Sequence, residues 1–248
     1  MTIREPQIRE SASAPSIKAL PRIACIATMA TRRDTFSQVF ERIAPQCDAV
    51  HVYVDDHQDV PAIVRSTANA QSFSAGTLGA SSRFSTLRKL TGPAVIIPFD
   101  DDIEYPPDYV QTVVDALAAA SGKAVVGYHG NIYLPPHQSY ARHRFCYHFE
   151  QGLKTNSYVH DVGCGTCAFV SSELDFDPAE WPDCDLDDIL LAIEAQKRQL
   201  PRVALKRPPL FLKALSRNQP DSLWARAQTD DSRHSAAMKR LLRQYVEP

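Results

Sequence analysis

The chain has 248 residues, of which 44% are hydrophobic and 23% are charged. These values are typical of a globular domain and exclude fibrous and disordered proteins. Lysine and arginine (27) nearly balance aspartate and glutamate (29), so the formal net charge is only -2. Because there is no overall positive field, we expect no nucleic-acid partner and only local recognition of phosphate.

The N-terminal residues and the cysteines bear on the cellular context. Residues 1–20 are rich in Ser, Ala and Pro, which predicts a polar N-terminal arm. No apolar run approaches the ~20 residues that a membrane span needs, and no secretory signal is recognisable. We therefore expect no integral membrane segment and a cytoplasmic location, with peripheral attachment to the inner membrane face as the alternative. The six cysteines are scattered, and the Cys164/Cys167 pair lacks the second pair that a structural zinc site needs.

After the arm, the hydrophobic pattern alternates between strands and helices. In chain order it predicts strands at 23–29, 49–54, 94–99, 124–128 and 162–170, and helices at 36–43, 84–90, 109–120, 187–199 and 236–245, with a short helix starting at Pro61. Residues 71–82 and 131–158 are predicted to be connections. The alternation predicts an α/β fold with a mostly parallel mixed sheet covered by helices on both faces. Such sheets bind ligands at the carboxyl ends of their strands.

The most informative segment is PFDDDIEYPPDY, residues 98–109, in which Asp100, Asp101 and Asp102 follow an apolar strand. Three adjacent carboxylates repel one another unless a cation, backbone N–H groups or solvent offsets the repulsion. An oxygen-only cluster suits Mg²⁺ or Mn²⁺, which bind a few carboxylates together with the oxygens of a diphosphate. The alternative is a solvated acidic turn that caps the next helix.

Six segments in order, CIATMATRRDTF, SRFSTLRKL, FDDDIEYPPDYV, VVGYHG, VGCGTCAFV and DLDDILLAIEAQKRQLPRVALKR, resemble the GT-A glycosyltransferases, and within them bacterial enzymes similar to glycosyltransferase family 2. The resemblance covers most of residues 23–215. It implies one Rossmann-like GT-A domain at 21–248, with a nucleotide-sugar-binding half at 21–130 and an acceptor-binding half with a C-terminal segment at 131–248.

The resemblance also implies an activity. A hexosyltransferase-like enzyme (EC 2.4) would move a sugar from a nucleotide-diphosphate donor, with a UDP-sugar expected first, to a hydroxyl of a glycan or glycoconjugate. The implied cofactor is Mn²⁺ or Mg²⁺. Inversion at the sugar carbon and a role in bacterial surface polysaccharide biosynthesis are further expectations.

The donor and metal residues implied by the resemblance follow the predicted strands. The donor-binding residues are Thr28, Met29, Arg32, Arg83, Asp100 and Asp101. The implied metal ligands are Asp102 and Asp100, and His234 in the C-terminal segment is a further candidate. For Arg32 the alternative is a solvated arginine at a helix entrance.

Direct displacement needs a base for the acceptor hydroxyl, usually a carboxylate. The resemblance assigns this catalytic role to Asp188 first and to Asp187 second, whereas helix capping is the alternative for both. The expected acceptor-binding residues are His129, Gly163, Gly165 and Thr166, since small residues allow a sugar to approach the backbone. These glycines are also compatible with a purely conformational role in turns or bulges.

Two other functions compete with glycosyl transfer. A nucleotidyltransferase that makes nucleotide sugars would share the fold and the metal carboxylate, but TMATRR lacks the glycines of its usual phosphate loop. A non-catalytic nucleotide-sugar-binding module would share the fold without the reaction. The sequence does not decide the oligomeric state.

Overall fold

The structure is a computed structural model that describes residues 16–55, 59–216, 219 and 222–243. The helices are α1 (Arg33–Ile43), α2 (Ala62–Ser66), α3 (Tyr109–Ala119), α4 (Asp187–Lys197), α5 (Leu223–Thr229) and α6 (Ser232–Arg243). The strands are β1 (Arg22–Thr28), β2 (Ala49–Val54), β3 (Ala70–Ser74), β4 (Val95–Phe99), β5 (Ile103–Glu104), β6 (Val125–Gly127), β7 (Gly130–Tyr133), β8 (Arg144–Tyr147), β9 (Ser157–Tyr158), β10 (Asp161–Val162), β11 (Cys167–Val170), β12 (Arg202–Ala204) and β13 (Lys213–Ala214). A long 3-10 segment, Gly76–Lys89, precedes β4.

The central sheet has eight strands in the order β3-β2-β1-β4-β11-β6-β12-β9. Strands β3, β2, β1 and β4 pair in parallel, as do β6 and β12, whereas β11 and β9 run antiparallel to their neighbours. The predicted mostly parallel mixed α/β sheet is confirmed. Strand β11 lies between β4 and β6, so the second half of the chain contributes a strand to the middle of the sheet.

The alternation of side chains along β1 explains why both faces of the sheet are covered. Ala24 and Ile26 belong to a core that includes α1 and α3. Ile23 and Cys25 belong to a second core with Phe84 of the 3-10 segment and with α4. Successive strand residues point to opposite faces, so one apolar run buries two layers of helices.

Two predicted connections contain strands. Residues 71–82 were expected to form a loop, but β3 pairs in parallel with β2, with Val52 opposite Ser72. This strand lies at the sheet edge and is largely exposed, so its sequence, AQSFS, needs no apolar run. The expected connection at 131–158 contains β8 and most of β7, which form an antiparallel pair beside β10.

The two ends of the described chain pack on the domain. Ile17 packs against the core, Leu20 is buried, and Lys18 Nζ lies 2.6 Å from Asp115 Oδ1 on α3. Residues 1–15 of the predicted arm lie outside the described residues. Helix α6 starts earlier than expected and packs on α4 through Met238 and Leu241, while the end of the predicted helix, residues 244 and 245, also lies outside the described residues. In the described part of the chain no helix is long and apolar enough to cross a membrane.

Candidate active site

Arg83 is held in place by the residue that follows it. The Phe84 ring is fully buried and packs on Phe169, Phe176 and Trp181, with centroid distances of 6.5, 5.5 and 5.4 Å. These contacts fix the 3-10 segment against the sheet. Arg83 is consequently only 5% exposed, which is rare for an arginine unless its charge is paired.

Arg83 connects the end of β4 to the start of α4. Its Nη1 donates to the Phe99 carbonyl oxygen (2.9 Å) and to Asp100 Oδ1 (2.7 Å), and its Nη2 donates to Asp187 Oδ2 (2.6 Å). Burial alone would lower the pKa of Arg83, but the two carboxylates raise it well above its ordinary value. One guanidinium therefore joins a residue expected to bind donor to a residue expected to act on acceptor.

The residues after β1 contact the acidic run. Thr28 Oγ1 donates to Asp101 Oδ2 (2.7 Å), and Arg32 Nη1 lies 3.4 Å from Asp102 Oδ2. Arg32 is 8% exposed, so the alternative of a solvated arginine at a helix entrance is wrong. Met29 lies between these two residues in sequence and is 41% exposed. The structure thus brings Thr28 and Arg32 to the carboxylates and leaves Met29 at the surface of the same loop.

The acidic run carries more negative charge than its protein partners balance. Burial raises the pKa of Asp101 to about 7, with Asp102 and Asp100 adding to the shift and the Thr28 hydroxyl opposing it. Burial and the Asp100 charge raise the pKa of Asp102 to about 6, although Arg32 and Arg83 act against this. The side chains of Asp100 and Asp102 are 38% and 30% exposed. A hard cation at these accessible oxygens would relieve the repulsion, so the donor set fits Mg²⁺ or Mn²⁺.

Asp187 and Asp188 begin α4, and capping accounts for only part of their side-chain contacts. The N-cap position is Leu186, and Asp187 Oδ1 accepts the backbone N–H of Asp188 in the first turn (3.1 Å). Asp187 Oδ2, however, is held by Arg83 from another element. Asp188 Oδ1 accepts the backbone N–H of Cys164 (2.6 Å), which lies in the turn before β11. Both carboxylates are therefore tied to groups outside their own helix.

The two neighbouring carboxylates differ in how their charge is balanced. Asp187 is 5% exposed and has the Arg83 guanidinium as its partner. Burial, the Asp187 charge and the Asp161 charge raise the pKa of Asp188 to about 8, and the Cys164 N–H only partly opposes them. A carboxylate with a pKa in this range can accept a proton under mildly alkaline conditions, as a general base must.

Three of the predicted acceptor residues form one hydrogen-bonded unit. His129 N donates to Thr166 Oγ1 (3.0 Å), and Gly163 N donates to the His129 carbonyl oxygen (3.0 Å). A side chain on Gly163 would meet the His129 side chain, because an added Cβ would lie 3.0 Å from the His129 Cβ. Burial lowers the pKa of His129 to about 3, with His148 next among the causes, so its imidazole is neutral.

Gly165, the fourth predicted acceptor residue, lies directly against the acidic run. A Cβ added to Gly165 would lie 1.9 Å from the Asp100 carboxyl, so only glycine permits this approach. The Tyr105 hydroxyl donates to the Gly165 carbonyl oxygen (2.5 Å) and accepts from Asp100 N (3.0 Å). Gly165 therefore has a packing reason to be glycine, beyond the freedom of a turn.

A cavity of about 600 Å³ lies where these elements meet. Asp100, Arg83, Asp187 and Asp188 line it together with the four predicted acceptor residues. Thr28, Arg32, Asp101 and Asp102 are not part of its wall. The residues predicted to bind the acceptor line the cavity, whereas most of those predicted to bind the donor do not, and Arg83 and Asp100 are the exceptions. The cavity has a volume suited to a small molecule.

Sequence reasoning missed other residues of the cavity wall, among them Tyr140, Arg144, Cys146, His148 and Trp224. All but Trp224 come from the predicted connection at 131–158. The alternation in RFCYH, residues 144–148, is the signal that indicates a strand with one face toward a site. For Trp224 no local signal exists, because α5 joins the cavity only through the tertiary fold.

A second set of metal-ligating atoms lies beside the predicted one. Cys164, Asp187 and Asp188 each offer one ligand atom within 4.8 Å of the others. However, burial raises the pKa of the Cys164 thiol well above its ordinary value, and Arg83 already neutralises Asp187. His234 lines the cavity and packs on Tyr140, with ring centroids 4.9 Å apart.

No family model and no curated protein matches the chain. A mycobacterial protein of known structure is 15% identical over 90% of this chain and 76% of its own, with a TM-score of 0.56. Glucosyl-3-phosphoglycerate synthase from Mycobacterium tuberculosis, in complex with Mn²⁺, UDP and glucosyl-3-phosphoglycerate, is 15% identical over 99% and 85% of the two chains, with a TM-score of 0.50. The same enzyme in complex with Mn²⁺, UDP and phosphoglyceric acid is 17% identical over 94% of this chain and 81% of its own, with a TM-score of 0.53. At these identities the likeness establishes the fold, which is the predicted GT-A glycosyltransferase fold.

Proposed function

We propose that the chain is a metal-dependent glycosyltransferase that moves a sugar from a UDP-sugar to a hydroxyl of a glycan or glycoconjugate acceptor. The observation that carries this proposal is the Arg83 bridge. It joins Asp100, at the carboxyl end of a central parallel strand, to Asp187, beside a carboxylate of raised pKa. The bridge holds a cation-binding edge and a proton acceptor on the wall of one cavity.

On the donor side, Asp102 and Asp100 would hold Mn²⁺ or Mg²⁺ through their exposed oxygens. When bound, the cation would offset the charge that builds on the departing nucleoside diphosphate. Arg32, already beside Asp102, would face the diphosphate, and Thr28 holds Asp101 in place. The structural neighbours with Mn²⁺ and UDP support this choice of cofactor and donor.

On the acceptor side, Asp188 would take the proton from the attacking hydroxyl. The pKa of its carboxyl, raised to about 8 by burial and by Asp187, gives it a proton affinity that an exposed aspartate lacks. Asp187 is held by Arg83 and is therefore less suited to the role. A single base opposite the leaving group supports inversion, and the anomeric configuration of the product, read by NMR, tests it.

The binding experiment is a calorimetric titration of UDP into the full chain, once with Mn²⁺ and once with EDTA. Tight binding is expected only with Mn²⁺, since the cation bridges the carboxylates and the diphosphate. Equal affinity in both buffers would contradict the metal site. A panel of UDP-sugars, followed by UDP release, then identifies the donor sugar.

The same assays separate the competing functions. A nucleotidyltransferase would release pyrophosphate from a nucleoside triphosphate and a sugar phosphate. The turn after β1 does not favour this, because residues 30–32 form a 3-10 helix without glycine. A binding module would bind UDP-sugar and Mn²⁺ without consuming the donor. A role in bacterial surface polysaccharide biosynthesis is proposed on the sequence resemblance, and purified cell-surface oligosaccharides are the acceptors to test first.

A further inference from the structure

One face of β8, together with the residue that follows the strand, contributes to the cavity wall. Arg144 and Cys146 alternate with the outward-facing Phe145 and Tyr147, and His148 continues the alternation. Phe145 is 52% exposed and stacks edge-on with Tyr147, away from the cavity wall. The strand therefore presents a cation, Arg144, to the space in which the acceptor would bind.

Arg144 packs against two aromatic rings. Its guanidinium carbon lies 4.5 Å from the centroid of Tyr140 and 4.4 Å from that of Trp224 on α5. These cation–π contacts position the guanidinium, and one of its N–H groups also donates to the Tyr140 hydroxyl. Arginine carries five N–H donors, so others remain for a ligand. Arginine in this setting is suited to bind a planar or tetrahedral anion through two parallel hydrogen bonds.

The charge of Arg144 is not paired as the other site arginines are. Arg83 has Asp100 and Asp187, and Arg32 has Asp102. Among the residues that the structure describes, no carboxylate forms an ion pair with Arg144. Burial alone would lower the pKa of Arg144, but charge interactions, including one with the buried Asp161 carboxyl, raise it. A partly buried cation on a cavity wall is stabilised by an anion that enters the cavity.

We propose that Arg144, with Tyr140 and Trp224 as its aromatic clamp, is a subsite for an acidic group of the acceptor, either a carboxylate or a phosphate. This inference rests on the proposed function, because it names the class of acceptor for the same cavity. The carboxylates of the cavity wall follow β4 or lie at and just before the start of α4, whereas Arg144 comes from β8. An acceptor with one anionic group would thus have its charge bound by β8 and its hydroxyl presented to Asp188.

The test uses two matched pairs of small ligands, with Mn²⁺ and UDP bound to the full chain at constant ionic strength. Methyl glucuronide is compared with methyl glucoside, and glucose 6-phosphate with glucose, by ligand-observed NMR titration. The anionic member of one pair should bind at least about tenfold more tightly, as expected for a charge-assisted contact. Preference in the first pair identifies a carboxylate, and preference in the second a phosphate. Equal binding within both pairs overturns the proposal.

Variants then assign the preference to Arg144. Arg144→Gln should abolish it, and Arg144→Lys, which keeps the charge without the planar fork, should weaken it. Arg142→Gln is the matched control, because Arg142 is exposed and outside the cavity wall. If Arg144→Gln kept the full preference for the anionic ligand, Arg144 would serve only to hold α5 in place, and the proposal would be overturned. If that variant does not fold, the wild-type pairs and Arg144→Lys still decide.

UDP binding is recorded in the same samples, so the two proposals can fail separately. Loss of Mn²⁺-dependent UDP binding in the wild type would refute the donor site, whatever the anion preference. Normal UDP binding without anion preference would refute only the Arg144 subsite. We expect the wild type to bind UDP with Mn²⁺ and to prefer the anionic ligand, and we expect Arg144→Gln to bind UDP but to lose that preference.

Discussion

Two groups of carboxylates face each other across Arg83, and they differ in exposure and in partners. The strand-end carboxylates, Asp100–Asp102, follow β4, and the side chains of Asp100 and Asp102 are 38% and 30% exposed. The helix carboxylates, Asp187 and Asp188, begin α4, and Asp187 is 5% exposed. Asp188 is half-buried and, unlike Asp187, has no arginine partner. Accessible carboxylates that repel each other suit a cation, whereas a carboxylate of raised pKa suits a proton. Aspartate side chains in two different environments would thus supply the two kinds of chemistry that the proposed mechanism needs.

The largest expected effect separates the two helix carboxylates. Asp188→Asn keeps an acceptor for the Cys164 N–H but cannot take a proton, so turnover should fall by roughly 10²–10⁴. UDP affinity should change little, and the melting temperature should not fall. The measurement is transfer rate with UDP affinity and melting temperature in the same preparation.

Asp187→Asn is the matched variant. It should lose stability, because Arg83 keeps only one of its two carboxylate partners. Loss of turnover in Asp187→Asn alone, with Asp188→Asn fully active, would move the base by one residue. Full activity in both variants would refute a base at the start of α4.

The next effect tests the bridge between the two groups. Arg83→Met should destabilise the fold by about 3–5 kcal/mol, because it leaves a buried carboxylate without its counter-charge. Urea unfolding measures this loss. Adding Asp187→Asn to Arg83→Met should restore part of the stability, since the unpaired charge is removed. Simple additivity of the two losses would show that the ion pair is not energetically coupled.

The strand-end group is tested by Asp102→Asn. Removing this charge should weaken Mn²⁺-dependent UDP binding and lower turnover by about 10²-fold or more, since electrostatic stabilisation of the leaving group is lost. Asp108→Asn, at an exposed carboxylate that begins the α3 region, is the control. Near-normal turnover of Asp102→Asn at low Mn²⁺ concentration would be incompatible with Asp102 as a metal ligand.

The smallest and most diagnostic effect is a pH dependence. Because the pKa of Asp188 is about 8, kcat/KM should rise about tenfold per pH unit below this value and level off above it. If kcat/KM were constant from about pH 6 to about pH 9, on both sides of that pKa, the assignment of Asp188 as base would be contradicted.

Stability should vary with pH in the opposite sense. Burial raises the pKa of Asp188 from 3.8 to about 8, so the folded state binds its proton more tightly than the unfolded state does. The resulting stabilisation is complete below about pH 4 and is lost as the pH rises to about 8. Asp188→Asn should lack this loss and should therefore gain stability relative to the wild type at alkaline pH.

The sequence predicted the parallel half of the fold well, because its signals are local. Apolar runs such as VIIPF in β4 are buried on both faces, and the acidic run follows directly in the chain. The strand-end position of Asp100–Asp102 then follows from fold geometry alone. The pairing of Asp101 with Thr28, and of Asp102 with Arg32, was not predictable, because it depends on side-chain reach across two strands.

The second half was harder to predict, since its strands are short and polar. Strands β7 and β8 have four residues each, and β8 carries Arg144 on the cavity face. The contact of Asp188 with the Cys164 N–H joins residues 24 positions apart and leaves no local pattern. The sequence likewise does not show whether Asp187 or Asp188 is neutralised, because this depends on the position of Arg83 beside Asp187 in the fold.

The position of β11 in the middle of the sheet has a consequence for how the protein can be built. A polypeptide that ends near residue 130 would lack the strand that joins β4 to β6, and β6 would have no neighbour on either side. Open strand edges of this kind promote aggregation, and pairings distant in sequence slow folding. The proposed donor half (21–130) and acceptor half (131–248) are therefore not independent folding units. A chimera of two related proteins joined near residue 130 would therefore pair β11 of one protein with β4 and β6 of the other. Such a chimera would fold only if these strands were compatible.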